Sequence, residues 1–189
     1  KSTAASFSIA DENLLALTGQ HFVHAMSYFD LADSMQNLSA ITQLNASEIS
    51  LSSLTDWIVE STGAARGTVF VIDEAANQLY FNADTAKGQK QEMRITLSRA
   101  SLTGTAILDN ITLNVPDCYK DERFDRSVDK RTGFRTTQLL CVPVASSEGK
   151  LIGAIEIINS SHGMPFTNED AVLLKALRVF VEIAIMNLK

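Results

Sequence analysis

Cysteine is scarce: Cys118 and Cys141 are the only two in 189 residues. They stand far apart and form neither a CxxC nor a CxxxH pattern, so they predict packing roles in a reducing, cytoplasmic compartment. Basic charge is also short. Sixteen Lys and Arg against 22 Asp and Glu leave a net charge of −6. Without a basic patch, a nucleic-acid partner is not expected, although a local anion pocket remains open. No apolar run is long enough to span a bilayer, and KSTAASFSIA at the N-terminus lacks the apolar core of a signal peptide, so no membrane partner is expected. Catalytic machinery is missing as well. There is no nucleophile–base pair, no Walker loop and no metal-ligand cluster, and His21, His24 and His162 do not supply one, so no catalytic and no metal-binding residues are assigned. The chain begins at Lys1 rather than Met, which leads us to expect a fragment of a longer protein.

What remains is an ordinary globular composition, 46% hydrophobic and 20% charged. The stretch from Asn114 to Val144, NVPDCYKDERFDRSVDKRTGFRTTQLLCVPV, organises the rest. It opens extended, and Pro116 ends that strand. It closes with an apolar run, Gln138 to Val144, that reads as a buried strand. About twenty polar residues separate the two, which is long for a bare loop in a compact domain. Phe124, Val128 and Phe134 supply apolar anchors for a lid. Asp125, Asp129, Arg131, Thr132, Arg135 and Thr136 are side chains of the kind that hold a sugar and a phosphate.

From the N-terminus, Asp11 to Leu38 reads as a long helix. Leu15, Phe22 and Phe29 are spaced seven apart, which fits either packing on its own domain or pairing with a second copy. His21 and His24 on it read as solvent-facing. Asn45 to Ser50 is a polar joint, so the chain divides into a segment with a connecting helix, 1–47, and a domain, 48–189. Ile49 to Ala65 reads as a helix capped by Ser52 or Ser53, with Gly63 and Gly67 bracketing its exit. Strands follow at Thr68–Asp73, Gln78–Phe81 and Glu92–Leu97. A short helix at about Ser101–Asp109 opens with small residues that leave backbone N–H groups available to an anion. Gln138–Ala145 and Leu151–Asn159 form a hairpin. Glu156 interrupts its second strand; a carboxylate there either faces solvent or lines a pocket, and alternation makes solvent the default, with Ala154 and Ile158 on the same face. A final helix runs from Thr167 to Lys189, capped by Thr167 with Asp170, and buries Leu173, Leu177, Phe180, Ile183 and Leu188. The class is α+β. One antiparallel sheet of five or six strands carries the terminal helices on one face, with a pocket under the lid on the other.

The central stretch, with SLTGTAILDN before it and GKLIGAIEIIN after it, resembles a GAF domain of the cyclic-nucleotide-binding type that precedes the catalytic domains of cyclic nucleotide phosphodiesterases and some adenylyl cyclases. The resemblance covers roughly residues 48–188. It rests on Asn114, Val115, Pro116, Asp117, Asp129, Thr132, Gly133, Phe134, Thr136 and the run from Leu140 to Pro143. The group's Asn-Lys, Phe, Asp-Glu signature appears here as Asn159, Ser160, Phe166, Asp170 and Ala171, without its Lys and Glu.

The resemblance implies the following roles. The cyclic phosphate of cyclic AMP or cyclic GMP lies on the backbone N–H groups of Leu102 and Thr103. Thr132 and Thr136 donate to phosphate and ribose, Asp129 reaches base or ribose, Val128 packs on the base, and Glu156 contributes from the sheet floor. Thr68 faces the base, Tyr80 or Phe81 could supply a stacking aromatic, and Arg99 faces either the purine edge or solvent. Asp125 stands where relatives carry Tyr or Asn. It further implies no cofactor, a homodimer through the terminal helices, and allosteric control of a catalytic domain in the same parent chain, a phosphodiesterase before an adenylyl cyclase. The alternative is a GAF domain that only dimerises. Bilin-type and sulfoxide-reductase chemistry lack their cysteine patterns here.

Overall fold

The computed structural model describes residues 50–84 and 90–188, without the side chains of 83, 84, 90, 128, 131 and 132. The chain divides into two units, Lys1–Leu44 and Asn45–Lys189. The expected helix at 11–38, with its heptad stripe and both of its histidines, lies outside the described residues, as does the joint up to residue 49.

Helix α1, Leu51–Thr62, lies within the expected 49–65 span, but its cap is not Ser52 or Ser53. Ser50 is the cap: its hydroxyl accepts from the Ser53 N–H at 3.1 Å, and Ser53 returns a bond to the Ser50 backbone. Leu54 and Ile58, one turn apart, are its buried residues. Gly63 ends it at φ 60°, a left-handed conformation that glycine adopts without strain. The chain therefore turns straight into β1, Ala64–Asp73, four residues before the expected strand start. Gly67 lies inside β1, not at a helix exit. A Cβ there would stand 2.9 Å from the Val59 methyl, so the glycine permits close helix–strand packing.

Strands β2 (Gln78–Asp84) and β3 (Lys90–Thr96), helix α2 (Leu102–Leu108), strand β4 (Leu113–Val115), a single 3-10 turn (Cys118–Lys120), helix α3 (Arg126–Thr132) and strands β5 (Leu139–Ala145) and β6 (Leu151–Ser160) follow in order. The sheet order is β3-β2-β1-β6-β5-β4, with every neighbouring pair antiparallel. The β1–β6 register sets Thr68 opposite Glu156 and Phe70 opposite Ala154.

Because side chains alternate, Val69, Val71, Val142, Val144, Ile155 and Ile157 share one face, under α1 and the C-terminal helices. Phe70, Leu79, Leu139, Cys141 and Ala154 share the other, where Leu102, Ala106 and Ile107 of α2 complete an apolar cluster. Both faces are covered. Glu156 therefore does not face solvent, as alternation alone predicts; it lies on the face beneath α2.

The C-terminal helix is two helices, α4 (Asn168–Ala176) and α5 (Arg178–Met186), joined at the fully buried Leu177. The Thr167–Asp170 capping box is present. The buried face is Ala171, Leu174, Leu177, Val181 and Ala184, whereas Leu188 is 53% exposed. The expected face shares only Leu177 with it. The alanines, which an apolar count underweights, are what let these helices approach the sheet.

Candidate ligand site

The floor of the site is a row across four strands. Thr68, Glu156, Cys141 and Leu113 stand opposite one another in register on β1, β6, β5 and β4. Helix α2 crosses above it. Ser101 caps α2 by accepting from the Gly104 N–H at 3.0 Å. Gly104 is obligatory here, because a Cβ would lie 1.9 Å from the Ser98 carbonyl oxygen. The tight entry sets Leu102 and Thr103 into the interior, and both are buried.

The Thr103 hydroxyl donates to Glu156 Oε2. Burial pushes the Glu156 carboxyl up to about 7, with the Thr103 bond partly offsetting the shift. The same surroundings push the Cys118 thiol up to about 12, through burial first and the nearby Glu156 charge second. The fully buried Cys141 thiol is raised for the same two reasons. Both cysteines are free.

The opposite wall is the lid. Asp117 caps its 3-10 turn, accepting from the Tyr119 N–H. Asp125 caps α3, accepting from the Ser127 N–H and hydroxyl at 2.8 Å each. Gly133 closes α3 at φ 70°. Asp129, only 7% exposed, is the hub. Its carboxylate accepts from the Tyr119 hydroxyl at 2.9 Å, the Thr136 N–H at 2.7 Å and the Thr136 hydroxyl at 2.9 Å. The Tyr119 ring carries the Arg135 guanidinium at 4.2 Å and that of Arg126 at 5.0 Å. Arg66 of β1 lies 3.8 Å over Phe134, tying the lid to the sheet. Phe124 packs into the apolar cluster.

The exit of the lid is fixed by Asn159, at φ 54°. Its amide oxygen accepts from the Thr137 N–H and hydroxyl and from the Gln138 N–H, and its NH2 donates to the Arg135 carbonyl. In the sequence Asn159 stands out only as part of a signature, and Tyr119 and Arg66 do not stand out. A left-handed Asn at a strand end, and aromatics alternating with arginines in the lid, were the available signals.

Of the residues assigned from sequence, Thr68, Thr103 and Glu156 come together on the floor. Leu102 packs into the core beside them. Asp129 and Thr136 come together in the lid, bonded to each other. Asp125 is an exposed helix cap. The side chains of Val128 and Thr132 lie outside the described residues. Alternation separates the two candidate aromatics: Phe81 faces the site side, edge-on to Phe70 at 4.9 Å, whereas Tyr80 faces away, with Arg94 at 5.2 Å over its ring. Arg99 pairs with Asp109 at 2.7 Å. On the Tyr80 side an open cleft of about 570 Å³ lies between Val71, Tyr80, Arg94, Lys150, Ile185 and Leu188. Its Arg94 and Lys150 are already paired with Asp73 and Glu74. Among the described residues no cluster of His, Cys, Asp and Glu is arranged to hold a metal, and no helix is long and apolar enough to cross a membrane.

A six-stranded antiparallel sheet with helices on one face and a short helix plus lid on the other is the GAF architecture. The GAF-domain family model matches residues 48–185, and the chain belongs to that family. The chain is 33% identical over 117 residues to the dual 3',5'-cyclic-AMP and -GMP phosphodiesterase 11 of Drosophila melanogaster, covering 62% of this chain and 8% of that protein. It is 30% identical over 159 residues to the cGMP-specific 3',5'-cyclic phosphodiesterase of Drosophila ananassae, covering 75% of this chain and 14% of that one. The chain thus spans only a small part of the curated relatives it matches. Among solved structures it is similar to the GAF domain of a phosphoenolpyruvate-protein phosphotransferase from Coxiella burnetii, with TM-score 0.69 and 16% identity over 83% of this chain and 92% of that one. It is also similar to a free methionine-R-sulfoxide reductase from Neisseria meningitidis, with TM-score 0.59 and 19% identity over 82% and 86%. At such identities these structures speak to the fold alone.

Proposed function

We propose that this chain is a regulatory cyclic-nucleotide-binding GAF domain, taking cyclic AMP in preference to cyclic GMP, that acts on the catalytic domain of a parent cyclic nucleotide phosphodiesterase in the cytoplasm. The observation that carries the reading is a polar set on an otherwise apolar face, Thr68 opposite Glu156 with Thr103 donating to it, beside a lid in which Asp129 and Thr136 are bonded; the buried Cys118 thiol feels the charges of both Glu156 and Asp129. The phosphodiesterase names of the sequence relatives support it. In this reading the monoanionic cyclic phosphate rests on the Leu102 and Thr103 N–H groups. Intrahelical bonding leaves such first-turn groups unpaired. Thr136 and Thr132 donate to phosphate and ribose, Asp129, Thr68 and Glu156 address ribose and base, Val128 packs on the purine, and Asp125 borders the mouth. The nucleotide stiffens the lid, and the terminal helices pass the change on, in proportion to its preference for one conformer. Val172, Val179 and Met186, exposed at seven-residue spacing, suit a homodimer through those helices.

A second reading has its own support. Asp129 and Thr136 are bonded to each other, and Thr103 to Glu156, so these four side chains have partners without a ligand. A GAF domain that only dimerises would look like this, whether in a phosphodiesterase or an adenylyl cyclase. Thermal melts with cyclic AMP, cyclic GMP and AMP separate the two. A rise in Tm with a cyclic nucleotide and none with AMP supports binding; no rise with either cyclic nucleotide supports the dimerisation module.

A further inference from the structure

Glu156 is a lone carboxylate on the covered face of the sheet. Thr68 of β1 and Cys141 of β5 flank it in register, Thr103 of α2 donates to it from above, and Cys118 of the lid lies within reach of its charge. None of these is a cation. The closest cation on that face of β1 is Arg66, two residues from Thr68, and its guanidinium is stacked on Phe134. Asp129 of α3 adds a second acidic group to the lid wall and is held by Tyr119 and Thr136. Arg126 and Arg135 of the lid stand over the Tyr119 ring. Only burial and the Thr103 bond act on Glu156, so an anionic ligand entering this space meets a carboxylate that no described cation pairs with.

We propose that cyclic-nucleotide binding is coupled to a proton at Glu156: the ligand is bound with this carboxyl neutral, and Thr103 is the positioning residue that holds the carboxyl and sets where it titrates. The inference rests on the cyclic-nucleotide reading above. The overall step takes one proton from solvent onto Glu156 as the monoanion binds, so charge balances. Burial has already brought the carboxyl to about 7. A second anion beside it moves it further in the same direction. Linkage then fixes the sign: affinity is level below the carboxyl's unliganded midpoint and falls about tenfold per pH unit above it, until the bound form also ionises. Removing the Thr103 donor removes a bond that favours the charged form, so the unliganded midpoint moves up.

The test is calorimetric titration of the purified chain with cyclic AMP and with cyclic GMP from about pH 6 to about pH 9, in phosphate and in Tris, whose different ionisation heats report proton uptake. Expected are a dissociation constant that rises about tenfold per unit above neutrality and uptake approaching one proton. Glu156→Gln should abolish both the slope and the uptake. Thr103→Val should keep the slope and shift its onset to higher pH, which a merely structural role would not do. Tight binding that is flat across the range with no uptake overturns the coupling and leaves the binding reading standing. An unchanged slope in Glu156→Gln places the proton elsewhere and also overturns it. No saturable binding of either nucleotide at any pH overturns both. Should Glu156→Gln not fold, carbon-13 titration of the Glu156 carboxyl in the unliganded protein decides: a midpoint near 7 supports the proposal, and one near the ordinary 4.5 overturns it.

Discussion

Replacing Asp129 by alanine removes one acceptor and orphans three donors. The Thr136 N–H and hydroxyl, at 2.7 and 2.9 Å from the carboxylate, belong to a residue only 7% exposed, so water does not readily replace the lost partner. Tyr119, whose hydroxyl lies 2.9 Å away, is half-buried and can rehydrate. A hydrogen bond to a charged acceptor contributes roughly 1.5–3 kcal/mol, and the two Thr136 bonds are not additive, so we expect a loss of about 2–4 kcal/mol. A domain of this size typically has about 5–15 kcal/mol in hand and should remain folded. Urea denaturation measures the loss as a shift of midpoint at constant slope. Hydrogen exchange locates it: protection should fall most for amides 117–138, because those bonds hold the lid to itself. A cycle with Thr136→Val should return a coupling of about 1 kcal/mol. A loss under about 0.5 kcal/mol, or one spread evenly over the strands with the lid amides no more affected, would refute the picture of Asp129 as the hub of the lid.

Glu156→Gln should stabilise the unliganded domain at pH 8. The folded carboxyl at about 7 lies above its ordinary 4.5, so its stability contribution is complete below the lower value and lost as pH rises through the upper one. With partial solvent access discounted, the variant should gain ~1–3 kcal/mol at pH 8 and nothing near pH 4, read from paired urea melts. Gly153→Ala should destabilise severely, by ~3 kcal/mol or more, because its Cβ would lie 2.1 Å from the Phe70 carbonyl oxygen across the central strand pair; a variant melting like the parent contradicts that register. Cys118 and Cys141 should resist thiol reagents at pH 8 in the native state and react on unfolding, since both are fully buried and their thiols are raised. Rapid native labelling at either position would contradict the packing around the floor.

Much of the fold was legible because local chemistry and global architecture agree. The Thr167 capping box, the strand hairpins and the apolar run into β5 all carry signals within a few residues. The misreadings share a cause. Glu156 reads as solvent-facing by default and as pocket-lining only as the alternative, because alternation distinguishes two faces but not which of them another element covers; only the three-dimensional course of α2 answers that. Gly67 reads as a breaker from sequence, yet it serves a close approach to Val59 across the chain. The break at Leu177 has no proline or glycine to announce it. In the lid, composition revealed a polar cluster but not its internal bonding. That Asp129 and Thr136 pair with each other, and that Asn159 latches the exit from 22 residues away, depends on contacts no spacing rule encodes.

Calorimetric titration of the purified chain, cleared of co-purified nucleotide, with cyclic AMP, cyclic GMP and AMP addresses the central claim most directly. Saturable binding of a cyclic nucleotide is expected, tighter for cyclic AMP than for cyclic GMP, with none for AMP, whose open phosphate carries an extra charge. Saturable binding of cyclic GMP alone would retain the sensor and reverse its preference. No heat with either cyclic nucleotide in a folded sample would contradict the claim and leave a dimerisation module.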